Sequence, residues 1–320
     1  MDKNELKEIV FPYVEKIDKE LYEMVVPRSR LTMQIFNQVI KTGKRLRPLL
    51  VIYSALCSKY NKDMKPLYRL GAIIELVHTA SLLHDDVIDE AEMRRGVVSS
   101  NRLFGNGASI LTGDYMYSLA YNMVLHYEDK RIAKKISEAA YILSEGEIKE
   151  LENTRNIKLT EEQYLEIIYM KTGVLIETSS IVGAMFSGCS EEKIKLFSEM
   201  GKDLGIAFQI YDDVLDYMGI EEKIGKETMK DIREGKITMP LIYSLHKDNE
   251  LMNVLKDFSI NTKELLKIKR MIEKKGGIDY SLKKAKSYAE RARKAISPIE
   301  SSPEKAVLEA LIDYSVSRES

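Results

Sequence analysis

The chain has 320 residues, 44% of them hydrophobic and 31% charged, and its formal net charge is −1. This hydrophobic content excludes an intrinsically disordered chain, and the balanced charge gives no support to a protein that binds nucleic acid or an acidic membrane. Seven prolines are present, and none lies between residues 67 and 239. Because an interior proline costs a helix about 3 kcal/mol, this gap favours long helices and an all-α fold.

Apolar residues recur at helical spacing along most of the chain, and alternating strand patterns are scarce. No stretch rich in Gly, Ser and Pro divides the sequence, so we expect one domain over residues 1–320, a multi-helix bundle with a central cavity or core. In chain order, the predicted helices cover residues 4–24, 28–42, 46–60, 66–90, 107–127, 130–151, 161–187, 191–218, 236–247, 261–274, 277–296 and 303–316.

The N-terminal segment and the cysteines indicate a cellular location. Residues 1–13 mix charged and apolar side chains, so no signal peptide is expected. No uncharged apolar run reaches the ~18 residues that a membrane-spanning helix needs. The two cysteines, Cys57 and Cys189, have no metal-binding spacing. We therefore expect a cytoplasmic protein without a transmembrane segment.

Two of the predicted helices carry the pattern Asp-Asp-x-x-Asp. The six aspartates are Asp85, Asp86, Asp89, Asp212, Asp213 and Asp216. The first and last aspartate of each pattern share a helix face, where like charges destabilise a bare helix. Mg²⁺ offsets that repulsion, since carboxylate oxygens are its preferred ligands. One copy is as readily a solvated acidic face, but two copies in apolar helices favour metal ions bridging a diphosphate, provided that the two helices face each other.

Basic residues lie close to both clusters in the sequence, and a diphosphate requires such charges. Arg binds phosphate through its planar fork and Lys as a point charge. Taken singly, each is more readily a surface charge, but a site that holds carboxylates, metal ions and diphosphates needs compensating cations. The candidates are Lys44, Arg45, Arg47, Arg94, Arg95, Lys171, Lys226 and Lys236.

Together these motifs resemble the trans-type prenyl diphosphate synthases, the polyprenyl synthetase family. The similar segments lie between about residue 40 and residue 245 and read GKRLRP, HTASLLHDDVID, MRRG, FGNGASILTGDYMYS, KTG, FQIYDDVLD, GK and DIREGKITMP. The resemblance implies an all-α isoprenoid synthase fold around a deep central cavity, a homodimer, and three Mg²⁺ ions, with Mn²⁺ as an alternative. It also implies a prenyltransferase that condenses isopentenyl diphosphate head to tail with an allylic diphosphate.

The resemblance further implies roles for individual positions. Direct metal ligands would be Asp85, Asp89 and Asp212, with Asp86, Asp213 and Asp216 as close or water-mediated partners. The allylic diphosphate would be held by Arg94, Lys171 and Lys226, with Lys236 nearby. Isopentenyl diphosphate would be held by Lys44, Arg47, His78 and Arg95. Thr172 and Gln209 would line the reacting centre, and Phe208 would lie near the isopentenyl tail. The group expected to act in catalysis is Asp85, Asp86, Asp89, Asp212, Lys171 and Arg94.

Product length should depend on the residues that precede Asp85. On a helix, Ser81 and Ala80, with Val77 one turn deeper, face the tunnel that receives the growing chain. In the family, bulky aromatic residues here block the tunnel and give short products. Because Ala80 and Ser81 are small, we expect an all-trans product longer than geranylgeranyl, from pentaprenyl to octaprenyl. A geranylgeranyl or farnesyl product is the alternative.

Three other functions would use some of the same residues. A terpene cyclase shares the first aspartate cluster but replaces the second. A di-iron bundle needs two Glu-x-x-His motifs, and Glu75 with His78 supplies one. A non-catalytic partner subunit would be expected to lose the clusters. Two departures from the family pattern are present: Thr42 precedes Gly43, and the segment 146–150 has glutamate where glutamine is common. We expect neither departure to touch a charged ligand, so the expected activity stands.

Overall fold

The computed structural model describes residues 1–41, 43–94, 96–218, 229–247, 249–255 and 261–317. Helices dominate these ranges, so the all-α prediction is confirmed. The α-helices are α1 (Lys3–Met24), α2 (Arg30–Ile40), α3 (Leu46–Cys57), α4 (Lys65–Ile88), α5 (Ser100–Phe104), α6 (Asn106–Val124), α7 (Lys130–Glu152), α8 (Glu161–Ile168), α9 (Val174–Ser187), α10 (Glu191–Tyr217), α11 (Lys230–Glu234), α12 (Met239–Leu245), α13 (Asn249–Leu255), α14 (Thr262–Lys275), α15 (Gly277–Ala295) and α16 (Pro303–Ser315).

Two short elements complete the described structure. An antiparallel hairpin of β1 (Met93–Arg94) and β2 (Val97–Val98) follows α4. A π-helical turn, Tyr169–Gly173, separates α8 from α9. The sequence predicted a helix over 161–187, and the turn divides this range into two α-helices.

The prolines mark where several helices begin. Pro48, Pro66, Pro240 and Pro303 lie in the first turns of α3, α4, α12 and α16. Amide groups in a first turn have no intrahelical acceptor, so proline loses no hydrogen bond there. Pro12 lies inside α1. The proline-free stretch thus extends from the first turn of α4 to the first residue of α12.

The chain forms two compact units, and the first comprises Met1–Ala140, Thr178–Ser198 and Ile299–Leu311. In this unit α4 packs against α1, α3 and α6. Its apolar side chains Ile73, Leu76, Val77 and Ala80 are fully buried. Burial of a large aliphatic side chain contributes about 1.5–3 kcal/mol, so this packing fixes the helix that ends in the first aspartate cluster.

The second unit comprises Tyr141–Glu177, Glu199–Pro298 and Ile312–Ser320. Its core contains Ile210 and Tyr217 of α10, and α12 packs against α8, α13, α14 and α15. The buried hydroxyl of Tyr217 lies 2.6 Å from the hydroxyl of Thr238, the residue before α12. These contacts fix the part of α10 that carries the second aspartate cluster.

No helix in the described ranges combines the length and the hydropathy that crossing a membrane requires. The cytoplasmic location and the single-domain organisation over 1–320 stay predictions.

Candidate active site

The first aspartate cluster lies at the C-terminal end of α4, in the first unit. Asp85 and Asp89 are half-buried, and the N–H of Asp89 donates to the carbonyl of Asp85 at 2.8 Å. Asp86 is only 1% exposed. Arg94 of β1 donates from Nε to Oδ1 of Asp86 at 2.7 Å. The hairpin therefore neutralises the buried aspartate, and the partly exposed carboxylates of this cluster are Asp85 and Asp89.

Arg94 keeps its charge despite burial. Burial alone would lower the pKa of the guanidinium, but the carboxylates of Asp86, Asp85 and Asp89 raise this pKa above its usual value. A small pocket lies against Arg94. Gln38 of α2 lines the same pocket and donates from Nε2 to the carbonyl of Val98 at 2.6 Å. This bond holds the hairpin against α2.

Two of the residues predicted to bind isopentenyl diphosphate lie side by side in the first unit. Nη1 of Arg47, in the first turn of α3, is 3.1 Å from Nε2 of His78 on α4. Lys44 is exposed in the loop before α3. Arg95 lies outside the described residues, as does Thr42. The structure therefore brings Arg47 and His78 together, and the roles of all four predicted residues stay predictions.

The second aspartate cluster lies near the C-terminal end of α10, in the second unit. Asp212 is exposed, whereas Asp213 is 6% exposed. Asp213 accepts hydrogen bonds from the hydroxyl of Tyr164 at 2.6 Å and from Nε2 of Gln209 at 2.7 Å. The hydroxyl of Thr172 donates to Oε1 of Gln209 at 2.7 Å. This chain joins both residues predicted to line the reacting centre to the second cluster.

Burial changes the charge of the second cluster. It raises the pKa of Asp213 to about 7; two hydrogen bonds lower this pKa, and the charges of Asp212 and Glu150 raise it further. Burial also raises the pKa of Asp216, although the backbone N–H groups of two residues in α11 lower it by donating at 3.1 Å each. Near neutral pH the cluster is therefore less negative than three isolated aspartates would be.

The π-helical turn Tyr169–Gly173 brings the predicted reacting-centre residues together. A Cβ on Gly205 of α10 would lie 2.5 Å from the Cα of Gly173, so only glycine permits this close approach. Gln209 lies one turn further along α10, which places its amide beside Thr172. π-Helical turns occur frequently at functional sites, where they reorient side chains within a helix.

Lys171, in the same turn, contacts two glutamates of α7. Its Nζ lies 2.5 Å from Oε2 of Glu150 and 2.9 Å from Oε2 of Glu147. Nζ of Lys236 is 3.7 Å from the same oxygen of Glu150. Burial opposes the charge of Lys171, but Glu150 and Glu147 raise its pKa above the usual value. Glu150, in the segment that departs from the family pattern, is thus shared by two predicted diphosphate-binding lysines. The expectation that this departure touches no charged ligand is therefore wrong.

The remaining predicted residues fall into three groups. Phe208 is half-buried on α10, beside Gln209. Val77 and Ala80 are fully buried on α4, and Ser81 is half-buried, with its hydroxyl donating to the carbonyl of His78 at 2.9 Å. Lys226 lies outside the described residues.

Sequence reasoning missed Tyr164 and Glu147. In the sequence Tyr164 is one more apolar position of an amphipathic helix, and nothing marks its hydroxyl as a partner of Asp213. Glu147 and Glu150 are three residues apart, so they share a helix face, and this spacing was a usable signal for a carboxylate pair.

The carboxylates of the described residues show whether the chain could bind the predicted Mg²⁺. Across the described ranges, no group of three or more His, Cys, Asp or Glu side chains is arranged to hold a metal ion by itself. Mg²⁺ retains several waters and takes phosphate oxygens, so it needs only one or two carboxylates. Asp85 and Asp89, partly exposed and one helical turn apart, fit such an ion. Glu75 pairs with Arg45 at 3.2 Å, which disfavours the di-iron alternative.

Comparison with known proteins identifies the family. The model of the polyprenyl synthetase family matches residues 29–274, and the chain belongs to this family. The octaprenyl diphosphate synthase of Escherichia coli strain K12 is 33% identical, over 90% of this chain and 91% of its own length.

Solved structures share the fold over nearly the whole chain. A decaprenyl diphosphate synthase from Rhodobacter capsulatus is 31% identical with a TM-score of 0.92, covering 99% of both chains. A polyprenyl synthase from Caulobacter crescentus CB15, complexed with calcium and isoprenyl diphosphate, is 28% identical with a TM-score of 0.92, covering 99% of this chain and 98% of its own. A geranylgeranyl pyrophosphate synthetase from Pyrococcus horikoshii is 33% identical with a TM-score of 0.90, covering 99% of both.

Proposed function

We propose that the protein is a long-chain trans-polyprenyl diphosphate synthase that condenses isopentenyl diphosphate head to tail with an allylic diphosphate. One observation carries the proposal: both aspartate clusters have the same internal arrangement. Asp86 and Asp213 are buried and hydrogen-bonded by the protein, whereas Asp85 and Asp212 reach the surface. Two intact clusters distinguish the chain from a terpene cyclase and from a partner subunit that has lost its catalytic residues.

We propose Mg²⁺ as the cofactor, in three ions, with Mn²⁺ as an alternative. The direct ligands would be Asp85, Asp89 and Asp212, with Asp86, Asp213 and Asp216 as close or water-mediated partners. The calcium and isoprenyl diphosphate found together in the Caulobacter crescentus structure support a divalent cation beside a diphosphate. Bound Mg²⁺ would neutralise charge on the departing diphosphate.

The basic residues would bind the two diphosphates. Arg94, Lys171, Lys226 and Lys236 would hold the allylic substrate, and Lys44, Arg47, His78 and Arg95 would hold isopentenyl diphosphate. The allylic C–O bond breaks with its electron pair leaving on the diphosphate, where fixed cations stabilise it. The double bond of isopentenyl diphosphate then attacks the allylic carbon beside Thr172, Gln209 and Phe208. The proton lost in this step passes to the released diphosphate.

Product length would be set on α4. Ala80 and Ser81 offer no bulky side chain below Asp85, and Val77 lies one turn deeper, so we propose products from pentaprenyl to octaprenyl. The octaprenyl relative supports this range. The similarity to the geranylgeranyl synthetase from Pyrococcus horikoshii supports the alternative, a shorter product.

A chain-length assay tests the proposed function. The protein is incubated with Mg²⁺, radiolabelled isopentenyl diphosphate and, in turn, geranyl, farnesyl or geranylgeranyl diphosphate, and the dephosphorylated products are separated by length. We expect extension of at least one primer beyond geranylgeranyl and none when EDTA removes the metal. Failure to extend any primer would contradict the proposal.

We also propose a homodimer, with α6 in the interface. Leu111 on this helix is 70% exposed, and Ile110 and the following Leu125 are exposed as well. Burying such a row of leucine and isoleucine side chains against a second copy would remove apolar surface from water.

Light scattering after size exclusion tests the dimer. We expect about twice the chain mass of 36.7 kDa, and Leu111→Glu should shift the protein towards the monomer because a charge would be buried in the interface. Val26→Glu, at an exposed position after α1, is the matched control. A monomeric wild-type protein would contradict this proposal.

Replacing Glu150 by glutamine should tighten binding of the allylic diphosphate. The carboxylate of Glu150 competes with diphosphate oxygens for Lys171 and Lys236, so its removal should lower KM for the allylic substrate by roughly fivefold. Steady-state kinetics measures the change. Glu166→Gln, which removes the exposed partner of Lys149, is the control and should leave KM unaltered. An unchanged or raised KM in the Glu150 variant would refute the competition.

A further inference from the structure

We propose that Arg45 is a positioning residue that fixes the isopentenyl diphosphate site, an inference that rests on the proposed function. The sequence grouped Arg45 with Lys44 and Arg47 as a candidate for binding phosphate. The structure gives it a different role, because its guanidinium points at carboxylates of the protein.

Arg45 is 4% exposed and contacts three helices of the first unit. Nε donates to Oδ1 of Asp18 on α1 at 2.6 Å. Nη1 donates to Oε1 of Glu75 on α4 at 3.2 Å, and Nη2 donates to the carbonyl of Ile40 at the end of α2 at 2.5 Å. The planar fork of arginine can satisfy several acceptors at once, which a lysine ammonium cannot do in this geometry.

The backbone around Arg45 is adapted to this contact. A Cβ on Gly43 would overlap Nη1 of Arg45 and would lie 3.0 Å from Oε1 of Glu75. The guanidinium therefore occupies the space that any other side chain at position 43 would need. Arg45 itself has φ 55° and ψ 30°, a left-handed conformation that is strained for any residue other than glycine. The three hydrogen bonds offset this strain.

The contact connects the substrate-binding residues to one another. Arg45 is flanked by Lys44 and lies two residues before Arg47, whereas Glu75 lies one turn before His78 on α4. The Arg45–Glu75 ion pair thus holds Lys44 and the first turn of α3, which carries Arg47, at a fixed distance from the helix that carries His78. Loss of this ion pair would let Lys44 and Arg47 move away from His78. Small misplacements of binding groups remove a large part of their contribution to substrate binding.

Two variants test the role while protecting the fold. Arg45→Lys keeps a positive charge beside the buried Glu75 but cannot reach all three acceptors. The double variant Arg45→Met/Glu75→Gln removes both charges, so neither is left buried without a partner. We expect KM for isopentenyl diphosphate to rise roughly tenfold in both, while KM for the allylic substrate and kcat at saturation change by less than about twofold. Calorimetric titration with isopentenyl diphosphate alone should show the same loss.

Arg69→Lys is the matched control. Arg69 donates to Glu20 at 2.9 Å and so joins α4 to α1 as Arg45 does, but it contacts neither the loop nor His78. A general loosening of these helices would alter Arg69→Lys and Arg45→Lys alike. Unchanged binding of isopentenyl diphosphate in both Arg45 variants, or an equal rise of both KM values, would overturn the inference.

The wild-type protein separates the two proposals. If it extends an allylic primer and the Arg45 variants bind isopentenyl diphosphate normally, only the positioning role fails. If the wild-type protein neither extends a primer nor binds isopentenyl diphosphate, the proposed function fails, and the inference fails with it.

Discussion

Asp85→Asn is expected to lower kcat by roughly two to three orders of magnitude, measured as incorporation of radiolabelled isopentenyl diphosphate. Asparagine keeps the size of the side chain but removes the anionic oxygen that would bind Mg²⁺. Because Asp85 is half-buried at the end of α4, the fold should hold, and the loss should fall on the ionisation of the allylic substrate. The Mg²⁺ concentration at half-maximal rate should also rise.

Asp114→Asn serves as the control for this variant. Asp114 is an exposed carboxylate of α6, in the same unit, near the ring of His84. It has no place in the proposed site, so its variant should turn over normally. Turnover of Asp85→Asn close to that of the wild-type protein would refute the assignment of Asp85 as a metal ligand.

Ala80→Tyr is expected to shorten the product. A phenol ring at this fully buried position would fill the space proposed to receive the growing chain beyond Asp85, so the longest product should lose one or more isoprene units. Separation of dephosphorylated products by chain length measures the change. The rate of isopentenyl incorporation should fall by a smaller fraction than the mean product length, because the reacting groups remain in place.

Overpacking is the competing effect in this experiment. If Ala80 packs in a solid core, a tyrosine will lower Tm without truncating the product, since extra atoms in a packed core typically cost 1–3 kcal/mol. Ser81→Tyr, at a half-buried position, tests the same effect with less crowding. Ala80→Ser adds a single atom, so it should leave the product length unchanged, although the buried hydroxyl should lower Tm slightly. Folded tyrosine variants with the wild-type product profile would refute the tunnel.

Much of the fold could be predicted because long helices leave a periodic apolar pattern. The predicted start at residue 4 and end at 24 agree with α1 to within a residue, and the predicted helix over 130–151 agrees with α7. The helices α5, α11 and α13 were missed because five to seven residues contain too few turns to show a period. The π-helical turn was predicted only as part of the helix over 161–187, since its hydrogen-bond pattern has no distinct composition.

The site was predictable in residue type but not in pairing. The aspartates and most of the basic residues were proposed from motifs, yet the partner of Asp86 comes from a hairpin and Tyr164, one partner of Asp213, comes from another helix. Such partners depend on tertiary packing, which spacing within one helix does not encode. Arg45 shows the same limit, since only the structure separates it from the phosphate-binding candidates on either side.

The hydrogen bonds from Tyr164 to Thr172 have a defined direction. Nε2 of Gln209 donates to Asp213, so Oε1 of Gln209 faces Thr172. The threonine hydroxyl has one proton, and it donates that proton to Oε1. The hydroxyl therefore presents only lone pairs to whatever lies on its other side. In the proposed reaction that neighbour is an allylic carbon gaining positive charge, which a lone pair attracts and a proton would repel. The orientation of one amide thus sets the polarity of the surface that the cation meets.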